Sequence, residues 1–355
     1  VPVDVDLWVY QQRQRRPDGI QICRICLQRM CSVQLLELWS MTMNASLKIG
    51  TRASKLALWQ ANWVKLALIE KFPSLAVDLV TIKTKGDKIL DVPLANVGGK
   101  GLFVKEIEEA LLEGRVDLAV HSMKDMPAEL PQGLCVGPIP ERETPSDVLI
   151  SRENVPLAQL PHRARIGTSS LRRAAQLRHA RPDLSIVPLR GNLDTRLKKL
   201  DAAENDLDAI VLAAAGVKRL GLENRITEYM ASAVMLPAVG QGALCIEIRE
   251  NDPETAEKLD VLNHPSTRAA VLGERAFLKQ LEGSCQIPIA AQGTIKSGQF
   301  ILDGLVADID GESVIRDTRS GSENVFEQIG IELAERLLSL GAGDILEKLL
   351  EAGSK

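Results

Sequence analysis

Aromatic residues are scarce in this chain. They make up 3% of 355 residues, too few for a surface that stacks bases or cages a cation with rings. Histidine is nearly as rare. His121, His162, His179 and His264 are scattered and form no H-E-x-x-H pair, so no metal is expected. No uninterrupted apolar run reaches membrane-spanning length. Nor is there an excess of basic charge to suggest nucleic acid: 43 Lys and Arg face 47 Asp and Glu, for a net charge of −4. A glycine-rich P-loop ending in Lys-Ser/Thr is missing too. Six cysteines make a poor disulfide framework, because Cys23, Cys26 and Cys31 crowd the start while Cys135, Cys245 and Cys285 stand far apart. Cys23 and Cys26 form a C-x-x-C, but no second pair follows at zinc-site spacing. This usage fits a reducing compartment, and a cytoplasmic protein is expected.

Residues 1–43 read unlike the rest. They hold Trp8 and Trp39 and a basic patch at Arg13, Arg15 and Arg16. Asp4 and Asp6 speak against a secretory leader, and no apolar core with a small-residue cleavage site follows. The expectation is an over-extended start: the working protein begins at Met41 or Met43, and removing residues 1–40 leaves activity intact.

From residue 46 the pattern is strand, turn, helix. Leu47–Ile49 reads as a strand, Gly50–Ser54 as a turn, and Lys55–Lys71 as an amphipathic helix stopped by Pro73. Val77–Lys83 alternates as a strand, and residues 84–101 read as a mobile Gly-, Lys- and Asp-rich loop. A helix over Phe103–Glu113 and a buried strand over Val116–Val120 lead into His121-Ser122-Met123-Lys124-Asp125. An echo then appears. Ile166-Gly167-Thr168-Ser169-Ser170 and its helix repeat Ile49-Gly50-Thr51 and Ser54 with theirs, 117 residues later, and Leu207–Leu212 echoes Val116–Val120. Two α/β domains of related plan, with parallel sheets and ligands at the strands' carboxyl ends, are the simplest account. A third unit from His264 carries a helix over Ser266–Leu281, the Cys285 segment, hairpin strands over Ile289–Arg319 and a helix over Val325–Leu338.

Three constellations carry chemistry. Eight arginines fall between residues 163 and 196, and Arg172 and Arg173 sit just inside a helix headed by Thr168, Ser169 and Ser170. Hydroxyls, unpaired backbone N–H groups and guanidinium forks around one point suit a carboxylate or phosphate, as do Arg52 and Ser54 at the echoed position. Ordinary helix caps with a solvated face would also explain them. Lys124 and Asp125, after a buried strand, can hold an anion and shuttle a proton, or be a cap with a surface charge pair. Cys285, in Gly283-Ser284-Cys285-Gln286-Ile287-Pro288, can be a nucleophile, an attachment point or an idle thiol.

Taken together, these residues resemble the porphobilinogen deaminase (hydroxymethylbilane synthase) family from about residue 47 to 350. The motifs are Gly50-Thr51-Arg52 with Ser54, Val97–Phe103, His121–Pro127, Gly167–Arg173, Leu189-Arg190-Gly191-Asn192, Leu236–Gly242, and Glu274-Arg275 leading to Gly283–Pro288. The resemblance implies an α/β protein of three domains: two like periplasmic binding proteins and a smaller α/β C-terminal domain presenting the cysteine. The bounds expected are 44–141 with 241–262, then 145–237, then 264–355. It implies a dipyrromethane cofactor linked by a thioether to Cys285, and stepwise condensation of four porphobilinogens into hydroxymethylbilane with loss of ammonia. By similarity Asp125 is the catalytic carboxylate, stabilising the cationic azafulvene, with Lys124 and Arg52 beside it. Ser122, Lys124, Asp125, Thr168, Ser169, Ser170, Arg172, Arg173, Arg190 and Gly191 would hold the cofactor. Arg52, Ser54, Phe103, Arg190, Arg196, Arg219 and Gln241 would hold substrate, with Phe103 and the loop 84–101 as a movable cover. The family resemblance favours a monomer without nucleic-acid or membrane partners.

Departures from the family pattern are few. Lys55 stands where many relatives have proline, Ser284 replaces a glycine, and two extra residues fall near Asp201–Leu207. A two-domain binding protein taking a small anion without catalysis would explain the echoed halves and the arginines, but neither Cys285 nor the third unit.

Overall fold

The computed structural model describes residues 46–88, 104–281 and 287–353. Residues 1–43, most of the loop 84–101, Phe103 and Cys285 lie outside these. The elements belong to one compact unit, residues 46–73 and 77–355.

Two five-stranded sheets repeat one plan. The first holds β1 (Ser46–Thr51), β2 (Ala76–Thr81), β3 (Leu118–Ser122), β4 (Leu134–Val136) and, from much later in the chain, β10 (Leu244–Arg249), in the order β2-β1-β3-β10-β4. The second holds β5 (Asp147–Ser151), β6 (Arg165–Gly167), β7 (Ser185–Val187), β8 (Ala209–Ala213) and β9 (Glu228–Tyr229), in the order β7-β6-β8-β5-β9. The echo read from Ile49 and Ile166 is therefore an echo of topology. Ile49 pairs in parallel with Leu118 on β3, and Ile166 pairs in parallel with Ala209 on β8.

The expectation of parallel sheets needs correction. Each sheet contains an antiparallel strand beside its central one: β10 against β3, with Cys245 opposite His121, and β5 against β8, with Val148 opposite Leu212. Both strands enter where the chain passes from one sheet to the other, so no right-handed strand–helix–strand unit sets their direction.

Helix α1 (Lys55–Lys71) buries Ala57, Gln60, Ala61, Val64 and Leu68, a stripe at helical spacing. Ser54 caps it, its hydroxyl accepting from Ala57 N at 3.3 Å. Helices α2 (Lys105–Leu112), α3 (Leu171–Ala180), α4 (Leu193–Asp201), α5 (Ala214–Arg219) and α6 (Pro253–Leu259) follow. Ser170 and Asn192 cap α3 and α4, which places both helix starts just beyond strand ends.

The third sheet is an antiparallel meander, β11 (Ile289–Lys296), β12 (Gln299–Ala307) and β13 (Val314–Ser322). Helices α7 (Pro265–Gln280) and α8 (Phe326–Leu337) pack on it, and α9 (Gly343–Gly353) ends the chain's described part. Phe277, Phe300, Leu302, Leu333 and Leu337 form its core. Gly330 lets α8 touch α7 directly, since a Cβ there would lie 2.3 Å from Gly273 O.

Glu274 of α7 ties this unit to the others. Its carboxylate is completely buried and receives a fork from Arg142 (Nη1 to Oε1 2.6 Å, Nη2 to Oε2 3.2 Å), Gly240 N at 2.6 Å and Gly293 N at 2.7 Å. Truncation would strand a buried guanidinium and two backbone donors. Glu274→Ala should therefore lose about 3–5 kcal/mol of stability, read from urea unfolding; a loss below about 1 kcal/mol would refute the assignment.

Candidate active site

The candidate residues gather at the carboxyl ends of parallel strands, where open α/β sheets bind ligands. Arg52 and Ser54 follow β1, Ser122 ends β3 with Lys124 and Asp125 just beyond it, Thr168–Ser170 follow β6, and Arg190 and Gly191 follow β7. The turn Met123–Asp125 leaves β3 as a single 3-10 turn. A cavity of about 70 Å³ lies beside it, lined by Arg52, Ser54, Leu56, Ala57, Gln60, Val104, Val120, His121, Ser122 and Asp125.

Asp125 is the carboxylate of this cavity. Lys124 Nζ donates to its Oδ1 at 2.6 Å, and the two side chains are 35% and 36% exposed. Burial by itself would raise the Asp125 pKa, but Lys124, then Arg52 and His121, outweigh it and hold the carboxyl below its ordinary value. The loop is also anchored from behind. Arg275 of α7 donates to Pro127 O at 2.8 Å and Ala128 O at 3.0 Å.

The cations divide into two sets. Arg196 spends its Nε on Gly191 O at 2.8 Å, and Arg219 spends one Nη2 bond on Gly242 O at 2.7 Å while lying over the Trp59 ring at 5.7 Å. Among the described residues no carboxylate lies within ion-pair distance of either. Burial pushes both guanidinium groups down to about 10; Arg173 and Arg190 also depress Arg196, against the field of Asp125. Arg172 and Arg173 differ. Both are 6% exposed and share Asp147, each with an N–O distance of 2.7 Å. Arg172 also donates to Leu236 O, and Arg173 to Val211 O. Their forks thus already meet one of the chain's own carboxylates, although two guanidiniums on one carboxylate leave a positive charge uncompensated.

The hydroxyls have local partners. Ser169 Oγ bridges Leu189 O and N, both at 3.0 Å, Thr168 Oγ1 accepts from Ser170 N, and Ser170 Oγ caps α3. Gln241 is 1% exposed and spends its amide on Asp147 Oδ1 and Pro145 O. Gly191 adopts φ +112°, and a Cβ there would meet Thr195 Cγ2 at 2.6 Å, so this tight turn between Arg190 and Arg196 requires glycine. Phe103 and Cys285 lie outside the described residues. Leu281 and Ile287, on either side of the Cys285 segment, are both buried in the core of the third unit.

Several site residues escaped sequence reasoning. Gln60 donates to Ser122 Oγ at 2.8 Å from the buried stripe of α1; a polar side chain on an apolar stripe was the available signal. His121 Nε2 pairs at 3.1 Å with Glu247, which is fully buried on β10. Glu108 of α2 is pushed up to about 7, by burial first and by Glu247 second. Asp147, held below its ordinary pKa against its burial by Arg172 and Arg173, had no local signal.

Two family models cover most of the chain: "Porphobilinogen deaminase, dipyromethane cofactor binding domain" over residues 47–257 and "Porphobilinogen deaminase, C-terminal domain" over residues 268–339. Curated relatives agree. A porphobilinogen deaminase of Pelobacter propionicus is 56% identical over 86% of this chain and 97% of its own length, and one of Moorella thermoacetica is 55% identical over 87% and 98%. The chain belongs to the porphobilinogen deaminase family. Among solved structures, the methionine-binding protein MetQ is similar at 16% identity and a TM-score of 0.39, over 61% of this chain and 89% of its own; a likeness that low carries no argument. Membership of the porphobilinogen deaminases fits a carboxylate, Asp125, in the field of several cations, and no helix among the described residues is long and apolar enough to cross a membrane.

The pairing of Lys124 with Asp125 makes a prediction about pH. With Lys124 removed, burial loses its largest opponent and only weaker cations such as Arg52, His121 and Arg196 remain against it, so the Asp125 pKa rises. Lys124→Met should shift the acid limb of kcat/KM to higher pH, measured from pH 4 to 9 in about half-unit steps; an unmoved limb would separate Lys124 from the ionisation of Asp125.

Proposed function

We propose that this chain joins four porphobilinogens head to tail, releasing ammonia at each addition and hydroxymethylbilane after hydrolysis, with Asp125 as the catalytic carboxylate. The observation that carries this reading is the ionised Asp125 at the end of β3, paired with Lys124 and faced by Arg52 and Arg196. Porphobilinogen carries an acetate and a propionate, so each addition brings two more carboxylates to the site. Arginine forks suit them, being permanently charged and bidentate.

The donor set fits a dipyrromethane as well. Arg52, Arg190, Arg196 and Arg219 would take its carboxylates and those of the substrate, and Asp125 would accept from pyrrole N–H groups. Arg172, Arg173, Gln241 and Ser169 act one step removed, by fixing the strand ends and turns that carry the others. When bound, the dipyrromethane supplies the covalently held pyrrole from which the product grows, its thioether sulfur being that of Cys285.

Asp125 has three tasks in each cycle. Its carboxylate orients the substrate pyrrole through N–H hydrogen bonds. It faces the positive charge that develops on the substrate as ammonia leaves, and a fixed carboxylate stabilises that charge. It then accepts the proton that the newly joined pyrrole carbon must lose. Lys124 and Arg52 keep it ionised for all three.

The bounds 44–141 with 241–262, 145–237 and 264–355 belong to this reading as three domains, supported by the three sheets and by β10 returning to the first of them. A cytoplasmic monomer acting on a small molecule, without nucleic acid, completes it. The test combines intact mass with an acid aldehyde colour reaction on purified protein. Asp125→Asn should keep the added mass and colour while turnover drops about 10²–10⁴-fold, and Cys285→Ala should lose mass, colour and product together. Unmodified Cys285 in active protein would falsify the covalent cofactor; near-normal turnover in Asp125→Asn would remove Asp125 from its role.

A further inference from the structure

Two contacts cross the same gap, between α1 on the first sheet and the helices α4 and α5 on the second. Lys55 Nζ, at the first position of α1, lies 3.0 Å from Asp194 Oδ2 in the first turn of α4. One turn further along α1, Trp59 lies beneath the Arg219 guanidinium of α5 at 5.7 Å. Between them the helices approach closely: a Cβ on Gly216 of α5 would lie 3.5 Å from Leu56 Cδ2.

Lys55 is poorly placed for its own helix. The first turn of α1 contains no acidic residue, and a cation at a helix N-terminus opposes the positive end of the dipole. Asp194 is well placed by the same rule, so the pairing across the gap offsets a cost that α1 bears alone. Asp194 also sits on a fixed turn. Gly191 is held at φ +112° against Thr195, and Asn192 Oδ1 accepts from both Thr195 N at 2.9 Å and Thr195 Oγ1 at 2.8 Å. That turn carries Arg190 and Arg196, while Lys55 directly follows Arg52 and Ser54.

We propose that Lys55 and Asp194 are positioning residues that tie the Arg52–Ser54 turn to the Arg190–Arg196 turn, and so set the span between the cations that grip substrate carboxylates. The stack of Arg219 on Trp59 is the second strand of the tie. The inference rests on the substrate-binding roles proposed above for these arginines. The Lys55 side chain is 76% exposed, so the pair is screened by salt and adjusts binding without holding the fold.

Steady-state kinetics of the cofactor-loaded enzyme test this at low and at about 0.5 M salt, where the Debye length shortens to about 4 Å. Lys55→Glu and Asp194→Lys should each raise the KM for porphobilinogen about two- to fivefold with kcat little changed. The double variant should return KM toward the wild-type value, Lys55→Arg should retain it, and high salt should shrink the difference. Lys55→Glu improves the charge at the α1 N-terminus, so a raised KM with an undiminished melting temperature cannot come from loss of that helix. Unchanged KM in both single variants, or a double variant no better than the worse single, overturns the tie. Wild-type enzyme that fails to consume porphobilinogen would instead overturn the proposed function.

Discussion

The buried carboxylate of Glu274 is the interaction on which the arrangement depends. The chain leaves the first sheet near Arg142 and comes back to it near Gly240, and Glu274 receives hydrogen bonds from both places as well as from Gly293 on the third sheet. One side chain thus fixes both crossings and the helix α7. The neighbouring Arg275 extends the same support to Pro127 and Ala128, directly after Asp125. Partners in each direction cover both oxygens, the condition under which a buried charge is tolerated.

The charge pattern resolves an apparent conflict. A chain of net charge −4 has no basic exterior to attract a polyanion, and needs none. The positive field is made locally, by Arg172 and Arg173 sharing Asp147 and by Arg196 and Arg219 without carboxylate partners among the described residues. Low-dielectric surroundings make such a field stronger than the same charges would produce on a surface. Lys124, Arg52 and His121 also hold the Asp125 pKa below its ordinary value, although burial alone would raise it.

Much of this was legible in the residues. Ile49-Gly50-Thr51 and Ile166-Gly167-Thr168 announced two related halves, and Ser54 and Ser170 announced the helix starts at which the site forms, because capping and periodicity are local properties. The direction of β5 and β10 was not legible, since a strand entering at a crossing carries no connection that dictates its orientation. The fate of Arg172 and Arg173 was hidden for a related reason. Their partner Asp147 is 26 residues away from Arg173, in a strand that reads as ordinary core, and only the fold brings them together. Gln60 lay between these cases, visible as a polar interruption of an apolar stripe yet silent about its partner Ser122.

Helix α7 adjoins both of the residues proposed to carry the chemistry. Arg275 holds the loop that bears Asp125, and ten residues later comes Cys285, whose flanking residues Leu281 and Ile287 are buried in the core that α7 builds with the third sheet. On the roles proposed for Cys285 and Asp125, the same helix would serve both the attachment of the product and the loop that bears the carboxylate. The lengthening end must then be accommodated elsewhere, and the gap between the first two sheets is spanned by comparatively weak contacts: an exposed ion pair and a stacked guanidinium. On the proposed reading, buried contacts support the attachment end, and exposed ones span the gap into which the product would grow.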